Sequence, residues 1–292
     1  MMEKLDSLRI LTLAENTAPF GGSLLGQHGL SFLIEGKSEQ ATLQVIMDVG
    51  QDYDALCNNM EKLNVDVGQI DAVVLSHCHY DHTSGVAALL TQTKKRGVPV
   101  IAHPHIFRAH FINTPVLRHV GIMEGNNMQS LVAAGGQPFL TRDPLPLMPG
   151  LTTTGEVPRI TSFEESVLKV FTINEGNVFR DSMPDDISLV ACIKGRGLVV
   201  ITGCSHAGII NIIKQAFSLY PGEELHVVIG GLHLEGAGSE RITKTVEELC
   251  SFRPDLVSAG HCTGFDAQVA FYNVLGDRFV PLSAGAEFII SK

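Results

Sequence analysis

Residues 71–85 constrain the fold of this chain more than any other stretch. They read Asp-Ala-Val-Val-Leu-Ser-His-Cys-His-Tyr-Asp-His-Thr-Ser-Gly, so that polar side chains follow directly on a short apolar run. The run at 72–75 is typical of a buried strand, and Thr83 or Ser84 can cap a helix that follows it. A strand that leads through a polar loop into a helix indicates a sheet with helices on its outer face.

The loop after this strand carries four potential metal ligands within six residues, which are His77, His79, Asp81 and His82. In an extended segment the first three side chains would point to one side, and a turn at Asp81 could send His82 to another part of the same cavity. Two ligand sets from one loop suit two metal ions about 3.5–4 Å apart, as in two-metal hydrolases. We therefore expect one or two divalent ions, zinc first, with manganese and iron as alternatives.

Composition narrows the class of protein. A hydrophobic content of 45% supplies an ample core, and the 292 residues are expected to form one domain, 1–292. A net charge of −10 argues against binding to nucleic acid, although metal ions could attract a small anionic substrate locally. We expect no signal peptide, because no basic stretch followed by an apolar region is seen near residue 1, and we see no apolar run of membrane-spanning length. The six cysteines show no paired spacing, which favours free thiols and a cytoplasmic protein.

Two regular regions flank an irregular segment. In the first region, strands are expected at 8–14, 30–35, 41–47, 72–75 and 98–102, with helices at about 53–63 and 83–95. The segment 103–165 has weak periodicity and seven prolines, so we expect an insertion that folds over the site, with short helices near 104–112 and 127–134. In the second region, strands are expected at 167–173, 187–193, 197–202, 225–230, 255–259 and 287–290, and helices at 207–219, 240–251 and 266–274.

Three strand ends in the second region each lead through glycine to a histidine. These histidines are His206, His233 and His261. Glycine allows a sharp turn and a close approach of the backbone to a ligand. Because open α/β sheets bind ligands at the carboxyl ends of their strands, we expect the three imidazoles to face the 77–82 loop.

Two further residues are candidates for substrate binding. Arg159, in the run 154–159, could bind a phosphate or carboxylate bidentately, and an ordinary surface position explains it as well. His103 follows a strand and could touch substrate, although a packing role is the alternative. Asp48 also ends a strand, where we expect it to have a structural role or to support a ligand.

These motifs together resemble the metallo-β-lactamase superfamily. The stretches that carry the resemblance are SHCHYDHTSG at 76–85, GCSHAGIINI at 203–212, GGLHL at 230–234 and GHCTG at 260–264. The resemblance implies an α/β fold, a four-layer αββα sandwich. It also implies two ligand sets, of which the first is His77, His79 and His206 and the second is Asp81, His82 and His261.

The chain departs from the superfamily pattern at one position. Cys204 stands where most members have a bridging aspartate. Its thiolate could ligate a metal, or the second site could be weak or empty. Either Asp185 or Asp186 could supply a substitute ligand, and a turn or cap role is the alternative for Asp186.

Three more stretches narrow the resemblance, namely ENTA at 15–18, HGLSFLIE at 28–35 and TGEVPR at 154–159. They resemble the branch that contains the dihydropterin-methyl-(ribofuranosyl)aminobenzene-phosphate synthase of methanopterin biosynthesis. That likeness implies a phosphate-bearing or pterin-like substrate. Phe107, Phe111 and Phe179 are candidates to contact a pterin, and core packing explains them equally.

Three functional hypotheses follow. In the first, the protein is a metal-dependent hydrolase in which Asp81 orients a water and accepts its proton, while Tyr80 or His233 stabilises the oxyanion. In the second, the same centre serves a dihydropterin-diphosphate-dependent synthase. In the third, the scaffold holds a ligand-binding effector or a redox di-iron centre, although His79 stands where flavodiiron proteins have glutamate.

Overall fold

The computed structural model describes residues 3–165 and 168–292, and strands dominate this part of the chain. The strands are β1 (Ser7–Ala14), β2 (Ser31–Lys37), β3 (Thr42–Met47), β4 (Ala72–Val74), β5 (Val98–Ala102), β6 (His110–Ile112), β7 (Arg118–His119), β8 (Gly136–Leu140), β9 (Pro146–Met148), β10 (Leu151–Thr153), β11 (Phe171–Asn174), β12 (Asn177–Arg180), β13 (Leu189–Ile193), β14 (Gly197–Thr202), β15 (Leu225–Gly231), β16 (Leu256–Gly260), β17 (Phe279–Pro281) and β18 (Glu287–Ser291). The helices are α1 (Tyr53–Lys62), α2 (Tyr80–Thr83), α3 (Val86–Thr93), α4 (Met128–Ala133), α5 (Ile209–Leu219), α6 (Ser239–Ser251) and α7 (Phe265–Leu275).

Two seven-stranded sheets form the centre of the protein. Their strand orders are β18-β1-β2-β3-β4-β5-β8 and β17-β16-β15-β14-β13-β10-β9. Each sheet has an antiparallel part and a parallel part, and the parallel strands are β3, β4, β5 and β8 in the first and β14 to β17 in the second. The parallel parts matter for function because their carboxyl ends carry the metal-ligating motifs.

The alternation of side chains along the strands separates the core into layers. In β14, the side chains of Val199 and Ile201 lie in the core between the two sheets. Those of Leu198 and Val200 lie in the core between the second sheet and the helices on its outer face. Both faces of such a strand are buried, which is why its sequence is continuously apolar.

Helices cover the outer face of each sheet. The helices α1, α3 and α4 pack on the first sheet through Leu56, Leu89 and Leu131. The helices α5, α6 and α7 pack on the second through Ile213, Val246 and Phe271. The order helix, sheet, sheet, helix confirms the predicted αββα sandwich.

The segment 103–165 is more regular than its sequence suggests. It contributes β8 to the edge of the first sheet and β9 and β10 to the second. A third, four-stranded sheet has the order β12-β11-β6-β7, so two of its strands also come from this segment. These strands are short and contain Pro138 and Pro146, which tolerate edge positions and hide the usual alternation. The predicted insertion therefore contributes strands to all three sheets.

Other element boundaries differ locally. The helix expected at 83–95 is split into α2 and α3, and Thr83 donates its hydroxyl to the carbonyl of His79 instead of capping a helix. The helix expected near 104–112 is a 3-10 turn, Pro104–Phe107, followed by β6. The strand expected at 167–173 falls partly outside the described residues, and the observed strand is Phe171–Asn174. Within the described residues, no helix is long and apolar enough to cross a membrane.

Candidate metal centre

Four strand ends bring the predicted ligands together. The loop after β4 carries residues 77–82, and β14, β15 and β16 end just before His206, His233 and His261. The two sheets face each other, so these loops meet at one end of the sandwich. The expectation that the three glycine–histidine motifs face the first loop agrees with this geometry.

The first group of donors consists of three imidazoles. Nε2 of His77 lies 3.0 Å from Nδ1 of His79 and 3.2 Å from Nε2 of His206. A tetrahedral zinc ion with Zn–N distances near 2.0–2.1 Å holds its nitrogen ligands roughly 3.3 Å apart. Burial is the main cause that lowers the pKa of His77 well below its ordinary value, and the neighbouring imidazoles add to the effect. Burial likewise lowers the pKa values of His79 and His206. Neutral imidazoles are the form that binds a metal, so this donor set fits one divalent ion.

The second group combines nitrogen, oxygen and sulfur donors. Nε2 of His82 lies 3.2 Å from Nε2 of His261 and 3.2 Å from Sγ of Cys204. Oδ2 of Asp81 lies 3.3 Å from Nε2 of His261 and 3.6 Å from Nε2 of His82. The structure thus brings Cys204 among the predicted ligands, and the mixed set fits a second borderline ion such as zinc.

The charges of the second group depend on its neighbours. Burial alone would lower the pKa of His82, but Asp48 and Asp81 outweigh it and raise that pKa to about 9. Burial opposes ionisation of Asp81, yet His82 and His261 lower the pKa of its carboxyl below the ordinary range. Burial raises the pKa of the Cys204 thiol. A bound cation would replace the protons that His82 and Cys204 otherwise hold.

The imidazole of His82 is oriented from behind. Its Nδ1 lies 2.7 Å from Oδ2 of Asp48, and the same oxygen accepts the Ser76 hydroxyl at 2.6 Å. Gly203 makes this packing possible, since a Cβ there would lie 2.1 Å from Ser76 Oγ. The supporting role expected for Asp48 agrees with these contacts, and the glycine before Cys204 has a steric explanation.

The loop before β2 supports His261. The backbone N–H of His261 donates to Glu15, and its Nδ1 lies 2.9 Å from Oδ1 of Asn16. His28 also reaches the centre, with Nε2 3.2 Å from Oδ2 of Asp81. Glu15, Asn16 and His28 lie in stretches that carry the family resemblance, and the sequence alone assigns them no role. The sequence signal for these residues is that they are polar and lie in a loop before a strand. Such a signal is weak until the fold is known.

A further histidine lies behind His79. Nε2 of His110 is 2.9 Å from Nε2 of His79, and Nδ1 of His110 is 2.7 Å from Oδ2 of Asp181. Arg108 pairs with the same Asp181 oxygen and with Asp185. These contacts link the third sheet, through His110 of β6, to His79 of the metal motif.

Several predicted residues lie apart from the donors. The guanidinium of Arg159 donates to the backbone carbonyls of His206 and Met183, at 2.6 and 3.0 Å. His103 is buried, with Nε2 3.2 Å from Glu156. The structure brings neither side chain to the cavity beside the donors, so both hold other parts of the fold in place.

The two aspartates considered as substitute ligands have structural partners. Asp185 pairs with Arg108 and accepts the backbone N–H of Cys78 at 2.8 Å. Asp186 accepts the backbone N–H of Ala207 at 2.7 Å. Neither belongs to a metal-sized donor group within the described residues. Cys204 thus remains the departure from the usual pattern that reaches the centre.

A cavity of about 270 Å³ opens beside the donors. Tyr80 and His233, expected to stabilise an oxyanion, both line it, whereas Phe107, Phe111 and Phe179 are not among its described lining. The ring of His233 lies 4.1 Å from that of His206, and its backbone is left-handed, with a φ of 46°. Strained backbone of this kind is common at functional sites.

The chain is similar to known proteins along nearly its whole length. Residues 30–167 match the metallo-beta-lactamase superfamily. A 7,8-dihydropterin-6-methyl-4-(beta-D-ribofuranosyl)-aminobenzene-5'-phosphate synthase of Methanocaldococcus jannaschii is 34% identical over 97% of this chain and 96% of its own. An uncharacterized protein of the same organism is 32% identical over 88% of this chain and 91% of its own.

Solved structures show the same fold. Tm1679, a metal-dependent hydrolase of the beta-lactamase superfamily, has a TM-score of 0.80 at 24% identity and covers 98% of this chain and 100% of its own. YhfI from Bacillus subtilis, a metallo-beta-lactamase fold protein, has a TM-score of 0.54 at 13% identity, with coverage of 98% and 100%. The similarities in sequence and fold together show that the chain belongs to the metallo-β-lactamase superfamily.

Proposed function

We propose that this protein is a metal-dependent hydrolase for a small substrate that bears a phosphate or a pterin-like ring. The observation that carries the proposal is the closeness of the two donor groups. Donor atoms of His77, His82 and Cys204 lie within 4.8 Å of one another, although His77 belongs to the first group and the other two to the second. Two ions held there would be near enough to act on one substrate.

The residues around the centre have roles in this hydrolysis. Divalent ions would polarise a phosphoryl or carbonyl oxygen and make a nucleophile available at neutral pH. Asp81 would orient the attacking water through its carboxylate, which is held by His28 and His261. Tyr80 and His233, both at the cavity wall, would donate hydrogen bonds to the developing negative charge.

Transfer to an acceptor is a second candidate function, and one comparison favours it. The M. jannaschii relative at 34% identity is a synthase, and its name specifies a dihydropterin and an aminobenzene phosphate. The same donors could bind a diphosphate leaving group while an arylamine or aryl carbon attacks. The acidic net charge of −10 supports a small-molecule partner over nucleic acid in either case.

A single assay separates the two reactions. The zinc-loaded protein would be incubated with a dihydropterin diphosphate, with and without an arylamine acceptor. Hydrolysis predicts release of diphosphate that does not depend on the acceptor, whereas transfer predicts a coupled product. Consumption of neither compound would count against both candidates.

The Asp81→Ala variant tests whether the metal centre performs the reaction. We expect loss of turnover in a variant that still folds and unfolds in one cooperative thermal transition. Asp54→Asn, an exposed change in the first turn of α1, is the matched control and should keep full activity. Retained turnover in Asp81→Ala would overturn the proposal. Metal analysis of the purified protein addresses the remaining hypothesis, because a stable redox-active di-iron centre would favour an electron-transfer role.

A further inference from the structure

The cavity beside the metal donors has one wall that differs from the rest. Its floor is formed by histidines and cysteines, and its side is apolar, with Ile112, Val120 and Val170. Arg118 lies on the same side and supplies the one arginine or lysine among the described lining residues. A positive group therefore lines the same small cavity as the metal donors.

The backbone fixes the position of Arg118. Its strand β7 pairs with β6, with Arg118 opposite Ile112. Two residues later, Val120 donates its N–H to His110 and accepts from the N–H of Tyr80. Residues two apart in an extended chain point the same way, so Arg118 and Val120 both face the cavity. His119 points elsewhere and contacts the Ile122 carbonyl.

Other arginines near the centre already have ion-pair or hydrogen-bond partners. Arg108 pairs with two buried aspartates, Arg142 pairs with Glu156, and Arg159 donates to two backbone carbonyls. Within residues 3–165 and 168–292, no carboxylate forms an ion pair with Arg118.

We infer that Arg118 binds an oxyanion of the substrate, a phosphate or a carboxylate, while the attached ring lies on the apolar wall and the reacting bond faces the metal donors. The inference rests on the proposed function for the reaction itself. Arg118 thus has the anion-binding role that was expected of Arg159, although no sequence pattern pointed to Arg118. The guanidinium fork suits bidentate binding of either anion.

The cavity also limits the size of the ligand. A volume of about 270 Å³ lies just below the usual range for small-molecule sites, which is about 300 to 1,000 Å³. A single ring or a fused pair of rings with one anionic group suits this space better than a nucleotide or a peptide.

Calorimetric titration of phenyl phosphate, benzoate and neutral benzamide tests the inference on zinc-loaded and zinc-free protein. Arg118→Gln should weaken phenyl phosphate or benzoate at least about tenfold in both forms, as loss of a charge-assisted hydrogen bond predicts. Benzamide should bind the variant and the native protein alike. The preferred anion identifies the substrate group, and Arg118→Lys should recover part of the affinity.

Arg142→Gln is the matched control, since it removes an exposed arginine outside the cavity lining and should change affinity less than about twofold. If Arg118→Gln binds both anions as the native protein does, the anions are held by the metal alone and the inference is wrong. The result is independent of the turnover assay. Anion binding that needs Arg118, without turnover of the dihydropterin diphosphate, would refute the proposed reaction and leave the binding role intact.

Discussion

Oδ2 of Asp48 lies 2.7 Å from Nδ1 of His82, and both side chains are fully buried. The contact leaves Nε2 of His82 free to face Cys204 and His261. A carboxylate behind a ligating imidazole fixes its ring orientation and increases its basicity. Asp48, which follows β3, thereby orients the ligand His82, which lies in the segment after β4.

Asp48→Asn should weaken metal binding about 10- to 100-fold without unfolding the protein, because the amide holds the imidazole less strongly than the carboxylate does. Competition with a chromophoric zinc chelator measures the affinity. The exposed Asp54→Asn change should leave it unchanged. An affinity of Asp48→Asn within about twofold of the native value would show that the contact does not support a ligand.

Cys204 should contribute a thiolate to the second ion. Cobalt-substituted protein is then expected to show a sulfur-to-cobalt charge-transfer band, which Cys204→Ser should abolish. Cys57→Ser, at an exposed thiol, should retain the band. If the band survives in Cys204→Ser and disappears in Cys262→Ser, the thiolate ligand is the neighbouring Cys262, and our assignment is incorrect.

The ion pair between Asp185 and Arg108 should be important for stability. Both charged groups are largely buried, at 2.7 Å, and Asp185 also accepts the N–H of Cys78 between two ligands. Asp185→Asn replaces one of the two carboxylates that hold the Arg108 guanidinium and leaves its pair with Asp181, so it should lower the free energy of unfolding by about 2 kcal/mol. Urea unfolding measures the loss. Asp6→Asn, which breaks only surface ion pairs, should cost much less stability than Asp185→Asn. Equal losses in the two variants would contradict this account.

Asp186 should make stability depend on pH. Burial raises the pKa of its carboxyl from 3.8 to about 7, so the folded protein holds a proton that the unfolded chain has already lost between these values. Stability from this group is full below the unfolded pKa and falls as pH rises through the folded pKa, by at most roughly 4 kcal/mol.

Asp186→Asn should remove that dependence in the metal-free protein. Relative to the native protein, the variant should be more favoured at about pH 8 than at about pH 5 in urea unfolding. The amide can still accept the N–H of Ala207, so the fold is retained. A stability difference that is the same at both pH values would rule out the raised pKa.

Much of the fold could be predicted because its strands are either continuously apolar or end in motifs. The runs leading to His206, His233 and His261 are central parallel strands, and their hydrophobic patterns gave their positions within two residues. The strands of the 103–165 segment lacked that signal. β8 and β9 are edge strands of five and three residues, β10 beside β9 has only three residues, and β6 and β7 lie in the small third sheet.

The donor groups could be predicted for a similar reason, since each sits in a local motif at a strand end. The supporting contacts could not, because they join residues far apart in sequence. Glu15 contacts the backbone of His261 across 246 positions, and Asp181 contacts His110 across 71. Arg118 could not be predicted because its strand is two residues long and carries no hydrophobic pattern. The stretch at 154–159 pointed instead to Arg159, whose guanidinium donates to backbone carbonyls.

An anomalous-difference map from crystals of the zinc-loaded protein would locate the metal ions and their ligands. We expect one peak about 2.0–2.1 Å from Nε2 of His77, Nδ1 of His79 and Nε2 of His206. We expect a second peak within about 2.0–2.3 Å of donors on Asp81, His82, His261 and Cys204. Peaks confined to other residues, or a first peak that lacks His206, would show that these two donor groups are not the metal centre.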